Sequence, residues 1–383
     1  MNIILERNKN FKSWADPKSG VRSFILTGRV APLQQSFYFV NPSMTNDGRY
    51  LWFYCAFPPA GDANYGRTLG VVDFEYGQIY HYPETQFLDA SPMVDLDTGE
   101  VYWCNKSDIW KRGPRPQDRP QHIAKFPENL KKGAIHRIAT HLTRSPNKEE
   151  LCFDAEIGNR SYVGTVSLKT GKFSLWQEFD RCYNHAQFNP QDPNLILLAQ
   201  DYYFNKVTGK MGRIERDKEG KLKRMWIIRR GQQAVPIKPK WKSASHEWWS
   251  ADGNYIYYID RSKGTVRINR HTGEKLLVNP YGRWHGHSSK DNRFFVADNI
   301  ADENGYYRGC AANILFYNRK TRQKVDIVTK APALSTREKP SVYHVDPHPQ
   351  FVNNDKYIVY TTSIFGSIDV AIVKTSDLIA ATS

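Results

Sequence analysis

The chain has 383 residues, of which 40% are hydrophobic and 13% aromatic, and it carries a formal net charge of +15. This length fits two or three domains or one large β-rich domain, and the many aromatic residues favour strands over helices. The positive charge attracts polyanions, but the chain has no zinc-finger, RRM or basic-helix pattern, so we expect no nucleic-acid partner.

Features of the N-terminus and the cysteines limit the location of the protein. The five cysteines lie far apart, which argues against a disulfide framework and against a zinc knuckle. No apolar stretch approaches membrane-spanning length, and the N-terminal MNIILERNKNFKSW lacks the apolar core of a signal peptide. We therefore expect no membrane partner and a cytoplasmic location, or a periplasmic one if a leader has been removed.

One pattern recurs seven times along the chain: a polar turn, often Asp-Gly, followed by an apolar run. In chain order the units are MTNDGRYLWFY (44–54), DLDTGEVYWC (95–104), RSPNKEELCFD (144–154), NPQDPNLILLA (189–199), SADGNYIYYID (250–260), SKDNRFFVAD (289–298) and VNNDKYIVYTT (352–362). Asp-Gly supplies the positive-φ positions of tight hairpin turns. A second turn, of the Thr-Gly type, alternates with the first at 97–99, 169–171, 207–209, 271–273 and, in degenerate form, 320–322. Two hairpins per unit give the four strands of a propeller blade.

Seven units predict an all-β fold, a seven-bladed β-propeller, formed by residues 1–383 as a single domain. The ring must close, and GVRSFILT (20–27) offers an outer strand for the last blade. We therefore predict that the N-terminal strand joins the last blade. The irregular stretch 111–132 is predicted to be a long loop between strands. The alternative of two sandwich domains lacks an obvious linker.

Histidines recur four to eight residues ahead of the turn of a unit. They are His141, His185, His246, His285, His287, His344 and His348. This position falls on the innermost strand of a blade, which lines the central channel. A single histidine there is more often structural, but five blades using one register predict imidazoles that converge at one mouth of the channel. Such a cluster favours metal binding, acid–base chemistry or both.

Several segments together resemble the oligogalacturonate lyase family, seven-bladed propeller enzymes that degrade short pectin fragments. The segments are YFVNPSMTNDG, NHAQFNPQD, RMWII, SHEWWSADG and DPHPQFVNND, and their order and spacing agree with the family. The resemblance extends from GVRSFILT to DPHPQF. It implies that His246 is the catalytic base, that Arg224 assists it, and that the channel holds a manganese ion.

The same resemblance implies the ligands of that ion. In the DPHP segment, Asp346 stands where the family has a histidine, and Tyr343 stands where the family has a ligand glutamine. Two histidines, at 285 and 287, match the family histidine of the preceding blade about equally well. The candidate ligands of a divalent cation, expected to be Mn²⁺, are therefore His285, His287, His344, Asp346 and His348.

The implied reaction is β-elimination at a uronide, which requires a base of near-neutral pKa and positive charge at the substrate carboxylate. The imidazole of His246, the guanidinium of Arg224 and a divalent cation meet these needs. We expect the partner to be an anionic oligosaccharide. The residues predicted to contact it are His185, Tyr183, Tyr343 and Trp248.

Other functions stay open at this stage. A His/Tyr lyase that needs no metal and acts on another uronide, of the glucuronate or ulvan type, is one alternative. A non-catalytic propeller that serves as a binding platform is another. A glycoside hydrolase would need two paired carboxylic acids, and no pattern in the sequence pairs Asp346 with Glu247.

Overall fold

A computed structural model describes residues 5–59, 66–130, 133–205, 208–300, 311–333 and 345–383, without the side chains of residues 203–205 and 300. Within these ranges, seven antiparallel sheets of four or five strands form the blades of a propeller, as the seven units predicted. The first two strands of the chain are β1 (Phe11–Ala15) and β2 (Arg22–Leu26).

The strands of blades 1 to 3 follow in chain order. Blade 1 contains β3 (Leu33–Gln35), β4 (Tyr50–Ala56), β5 (Arg67–Asp73) and β6 (Gln78–Phe87). Blade 2 contains β7 (Met93–Val94), β8 (Val101–Asn105), β9 (Asp108–Arg112) and β10 (Gln121–Lys125). Blade 3 contains β11 (Ile135–Ile138), β12 (Thr143–Arg144), β13 (Glu150–Ile157), β14 (Arg160–Ser167) and β15 (Phe173–Phe179).

Blades 4 to 7 complete the ring. Blade 4 contains β16 (Tyr183–Phe188), β17 (Leu195–Gln200), β20 (Met225–Arg229) and β21 (Val235–Ile237), with an inserted hairpin of β18 (Tyr203–Asn205) and β19 (Lys210–Gly212). Blade 5 contains β22 (Ser245–Trp249), β23 (Tyr255–Asp260), β24 (Gly264–Asn269) and β25 (Lys275–Asn279). Blade 6 contains β26 (Gly286–Ser288), β27 (Phe294–Ile300), β28 (Ala312–Asn318) and β29 (Gln323–Ala331). Blade 7 contains β30 (Gln350–Val352), β31 (Tyr357–Thr362) and β32 (Asp369–Lys374), followed by the helix α1 (Thr375–Ala381).

The hydrophobic core lies between the faces of adjacent blades. The middle strands β4 and β5 are buried at every position, because both of their faces are covered. The outer strand β6 has several exposed positions. Strands covered on both faces are expected to be continuously apolar rather than alternating, and this explains the apolar runs that follow the turns in the sequence.

The N-terminal strands close the ring. β2 pairs with β32, with Phe24 opposite Ile372, so the predicted contribution of residues 20–27 to the last blade is confirmed. β1 pairs with β2 and adds a fifth, outermost strand that the sequence patterns did not predict. The prediction of a loop at 111–132 was wrong in part, because β10 lies within it and forms the outer strand of blade 2.

The two kinds of turn have separate places in the blades. Asp-Gly turns join the first two strands, as between β22 and β23, where Gly253 has a φ of 68°. The Thr-Gly turns at 169–171, 271–273 and 320–322 join the third and fourth strands. The remaining two differ from the expected alternation. The turn at 97–99 is the first turn of blade 2. Of the stretch 207–209, the described residues 208 and 209 lie between the two strands of the inserted hairpin.

Turns of neighbouring blades also bind one another at one end of the channel. Asn353 of blade 7 donates to the carbonyl of Thr45 in blade 1, at 3.1 Å. Asn189 of blade 4 donates to the carbonyl of Gly253 in blade 5, at 2.9 Å. The same polar turns that form the hairpins therefore also connect the blades. Among the described helices, none is long and apolar enough to span a membrane.

Candidate active site

The end of the channel opposite these turns contains a cavity of about 430 Å³. Five of the predicted histidines line it, one each from blades 3 to 7: His141, His185, His246, His285 and His348. Four arginines and two aspartates also line it: Arg67, Arg137, Arg224, Arg261, Asp89 and Asp201. The cavity therefore combines imidazoles with an excess of positive charge.

Backbone bulges direct several of these histidines. His185, His246 and His348 have φ values of 54°, 49° and 44°, in the left-handed region that non-glycine residues rarely adopt. The pairing of β16 with β17 and of β22 with β23 shifts register at the first two of these histidines. A β-bulge re-aims one side chain relative to its strand and is common beside functional sites. No residue type in the sequence signals these bulges.

A candidate metal-binding set lies on blades 6 and 7. His285, Asp346 and His348 each offer a ligand atom, and these atoms lie within 4.8 Å of one another. Nε2 of His285 and Nε2 of His348 are each 3.9 Å from Oδ2 of Asp346. All three residues are buried. Two imidazoles and a carboxylate suit a first-row divalent ion, so the residues present fit such an ion.

Asp298 of β27 fixes the orientation of His285. Its carboxylate oxygens accept hydrogen bonds from Nδ1 of His285, at 2.9 Å, and from the backbone N–H of His285, at 2.6 Å. Both side chains are 1% exposed. A proton held on Nδ1 leaves the lone pair on Nε2, the atom that faces Asp346. Asp298 was not among the site residues predicted from the sequence.

His246 lies next to this set. Its ring centroid is 4.3 Å from that of His285 and 5.3 Å from that of Trp284. Burial, followed by the positive charge of neighbours such as Arg224, lowers the pKa of His246 well below its usual range. Among the described residues, none forms a hydrogen bond with its buried Nδ1. His246 is therefore a neutral imidazole beside the candidate ligands, and its pKa lies below the near-neutral value expected of the base from the sequence.

Arg224 is buried in an ionic network. Its Nε donates to Oε2 of Glu247 at 2.9 Å, and its Nη1 donates to Oδ1 of Asp201 at 3.2 Å. The side chain of Glu247 is fully buried. Arg224 is thus fixed by two carboxylates, and it holds the residue that follows His246 in the chain.

Tyr38 lies in the middle of the histidines, although it was not among the site residues predicted from the sequence. Its ring stacks on that of His141 with 4.7 Å between centroids and meets that of His348 at 4.8 Å. The rings of His185 and His285 lie at 5.9 and 6.0 Å. Tyr38 comes from blade 1, so this one side chain connects five blades. It lies within the YFVNPSMTNDG segment. The resemblance of that segment to the lyase family was the one feature of the sequence that could have pointed to Tyr38.

Two predicted site residues face the other end of the channel. His287 and Trp248 line a separate cavity of about 480 Å³ beside the blade-connecting turns. Each lies two residues beyond a histidine of the first cavity, which moves it about 7 Å along the strand. Nδ1 of His287 accepts a hydrogen bond from the backbone of Phe351 at 3.1 Å, and Trp248 stacks on Tyr257. The prediction of His287 as a ligand and of Trp248 as a sugar contact is therefore corrected by their position.

Tyr183 also lies apart from the cavity. It stacks on Phe179 with 4.0 Å between ring centroids, and its hydroxyl accepts a hydrogen bond from Gln200. Burial raises the pKa of Tyr183 to about 12. Its predicted contact with the sugar is replaced by packing between blades 3 and 4. Tyr343 and His344 lie outside the described residues, so their predicted roles stay predictions.

Known proteins resemble this chain in sequence and in fold, although no protein-family model matches it. It is 22% identical over 225 residues to the oligogalacturonate lyase of Dickeya dadantii (strain 3937). That match covers 55% of this chain and 55% of the relative, so it spans about half the length of the curated protein. Two solved structures are similar, an oligogalacturonate lyase from Vibrio parahaemolyticus and an oligogalacturonate lyase in complex with manganese. Each has a TM-score of 0.71 and 16% identity, and each match covers 95% of this chain and 96% of the other. The resemblance predicted from the sequence is confirmed, and the structural likeness shows the fold.

Proposed function

We propose that this protein is a lyase that cleaves uronic-acid oligosaccharides, of the oligogalacturonate kind, by β-elimination. The observation that carries the proposal is the meeting of five histidines and four arginines in one cavity, with His246 beside a metal-binding set. The similarity to oligogalacturonate lyases supports the substrate class. The positive charge of the cavity suits a polyanionic substrate.

In this proposal His246 is the base. Its imidazole takes the proton from the carbon next to the carboxylate, the electron pair forms a carbon–carbon double bond, and the bond to the glycosidic oxygen breaks. The released oxygen takes up a proton, and the other fragment is an unsaturated uronide. A well-placed base contributes about 10²–10⁴-fold to such a step.

Two further groups support His246. Arg224 holds Glu247, the next residue in the chain, through a two-pronged contact, and it adds positive charge near the base. His285, Asp346 and His348 are the residues that would hold a divalent cation, with Mn²⁺ the expected ion. When bound, such an ion supplies a Lewis acid for the substrate carboxylate. Asp298 keeps His285 in the orientation that this binding requires.

The first prediction concerns His246. We expect His246→Ala to keep the melting temperature of the parent protein and to lose turnover, because its side chain is the base in the proposal. Turnover is measured as the ultraviolet absorbance of the conjugated product on a panel of saturated uronic-acid oligosaccharides. His287→Ala is the matched control, because His287 faces the other cavity. A stable His246→Ala protein with the parent rate would remove His246 from the mechanism.

Arg224→Lys, assayed on the same panel, should lose most of its activity, because an ammonium group cannot replace the planar fork that engages Glu247. Failure of the parent protein on every uronide tested would favour the binding-platform alternative. Full activity after chelation, with no gain when Mn²⁺ is added back, would favour a lyase that needs no metal.

A further inference from the structure

Arg261 is held at the mouth of the cavity by a rigid turn. It follows β23 and lies in the tight turn that leads to β24. The buried Asp260 accepts hydrogen bonds from the backbone N–H and the hydroxyl of Ser262, at 3.0 and 2.7 Å. The backbone N–H of Lys263 donates to the carbonyl of Asp260 at 3.0 Å. The backbone that carries Arg261 is therefore fixed.

The side chain of Arg261 is fixed as well. Its guanidinium carbon lies 4.1 Å from the ring centroid of Trp284, a cation–π distance. Trp284 is 6% exposed, and its ring centroid is 5.3 Å from that of His246 and 5.9 Å from that of His285. The N–H groups of a guanidinium lie in its plane, so stacking on a ring is compatible with carboxylate binding at the edge. We call this pair the Arg261–Trp284 platform.

The other arginines of the cavity differ from Arg261 in burial. Arg224 is 7% exposed and holds Glu247, and Arg67 is 5% exposed. Arg137 is partly exposed, with its Nε 3.5 Å from a carboxylate oxygen of Asp89. Arg261 is exposed to solvent and still lines the cavity. Among these four, Arg261 is the most exposed to solvent.

We propose that the Arg261–Trp284 platform binds the carboxylate of the uronate next to the one that reacts. This rests on the proposed function, since the reacting ring must reach His246 and the buried metal-binding set. A chain that places one uronate there leaves its neighbouring ring nearer the mouth, where Arg261 lies. A guanidinium binds a carboxylate through two parallel hydrogen bonds, which a neutral sugar cannot form with it. The preferred substrate is therefore a run of at least two uronates.

Two disaccharides test the platform. One is digalacturonate, and the other has galactose in place of the uronate that does not react. We expect the parent protein to prefer digalacturonate by about 10-fold to 100-fold in kcat/KM, mostly through KM, the range that one charge-assisted contact supplies. Arg261→Gln should reduce this preference to near unity, because kcat/KM falls much more on digalacturonate than on the galactose analogue. Arg267→Gln is the matched control, because Arg267 stacks on Tyr255 at 4.2 Å on the same blade but does not line the cavity.

Binding measurements separate this proposal from the lyase proposal. Calorimetry on His246→Ala protein, with and without Arg261→Gln, gives the affinities of both saturated disaccharides without turnover. Tighter binding of digalacturonate that depends on Arg261 supports the platform even if no product forms. An unchanged preference in Arg261→Gln, or an equal loss on both disaccharides, overturns it. If neither disaccharide binds the protein, both proposals fail.

Discussion

The orientation of His285 is set by one carboxylate on the neighbouring strand. Asp298 accepts two hydrogen bonds from His285, and both side chains are almost completely buried. An acceptor on the second ring nitrogen of a metal-binding histidine fixes its tautomer and raises its basicity. In the proposed metal site, Asp298 therefore leaves Nε2 of His285 as the nitrogen that would bind the ion.

This arrangement predicts the effect of Asp298→Asn. An amide accepts the hydrogen bond from Nδ1 less strongly and can also donate, so His285 loses its fixed tautomer. We expect the affinity for Mn²⁺ to fall by about 10-fold to 100-fold, measured by calorimetric titration of chelator-treated protein. Asp326→Asn is the control, because Asp326 contacts the partly exposed Lys324 on an outer strand of the same blade. Equal Mn²⁺ affinities for Asp298→Asn and the parent would contradict the positioning role.

A site residue could be predicted from the sequence when its position relative to a turn or to a partner strand was regular. The histidines were found because they share a register ahead of the turns. Asp298 was predictable too, because the hairpin pairs Gly286 with Ala297, so His285 and Asp298 are the next pair outward. The shared register did not reveal that His287 and Trp248 line the cavity at the other end of the channel. Distance from the turn decides which cavity a side chain reaches. For Trp248, the register shift between Ser245 and Trp248 changes that distance without a sequence signal. For His287, the strands pair without a shift, and its position two residues nearer the turn than His285 accounts for the difference.

At the scale of elements, the segment between β3 and β4 crosses the channel. Its residues line the histidine cavity at Ser36 and Tyr38 and the opposite cavity at Phe39 and Asn41. Gln350 of blade 7 donates to two backbone carbonyls of this segment. Asn41 donates to the carbonyl of Ala90, which lies between β6 of blade 1 and β7 of blade 2. The segment has no hydrophobic periodicity, so only the structure reveals that it separates the two cavities.

The ring of Tyr38 packs against the rings of four histidines of the cavity. Tyr38→Ala removes its contacts with the histidine rings and should lower the free energy of unfolding by about 3–5 kcal/mol, the usual cost of removing a buried aromatic ring. Tyr38→Phe keeps the ring and should cost about 0.5–1.5 kcal/mol. Urea unfolding measures both, with Tyr76→Ala, at a residue that is 65% exposed, as the control. A Tyr38→Ala protein as stable as the parent would show that the packing of this ring in the channel does not stabilise the fold.

At the scale of the whole molecule, the ring depends on contacts between ends that are distant in sequence. The hairpins were predictable because Asp-Gly turns and apolar runs are local signals. The closing strand β2 was predictable because a ring of seven units needs a partner for its last blade. The fifth strand β1 was not, since four strands already complete a blade. The residue that follows β1 forms a contact with blade 6, and no local sequence pattern predicts this contact.

That contact is made by Asp16, in the turn between β1 and β2. It accepts hydrogen bonds from the backbone N–H and the hydroxyl of Thr329 on β29, both at 2.7 Å. It also accepts from the backbone N–H of Ser19 at 2.9 Å within its own turn. Asp16 is 2% exposed. The closing strands of blade 7 are thus tied to blade 6 by one buried carboxylate.

The pH dependence of stability tests this tie. Burial acts to raise the pKa of Asp16, but the hydrogen bonds from Ser19 and Thr329 outweigh it and lower the pKa below its ordinary value of 3.8. A carboxyl group whose pKa is lowered on folding stabilises the protein above its unfolded pKa, and this stabilisation is lost as the pH falls through the folded pKa. Asp16→Asn should therefore lower the free energy of unfolding by about 1–3 kcal/mol at pH 7. The difference from the parent should shrink below about pH 4.

Urea unfolding at pH 7, 5 and 3 measures this difference. Asp180→Asn is the control, because the side chain of Asp180 is 71% exposed and contacts only Arg181 among the ion pairs of the described residues. It should match the parent at each pH. A deficit in Asp16→Asn that is as large at pH 3 as at pH 7 would mean that the ionised carboxylate is not what connects the two blades. Convergence at low pH, with the control unchanged, would place the acid-sensitive contact at the closure of the ring, between blades 6 and 7.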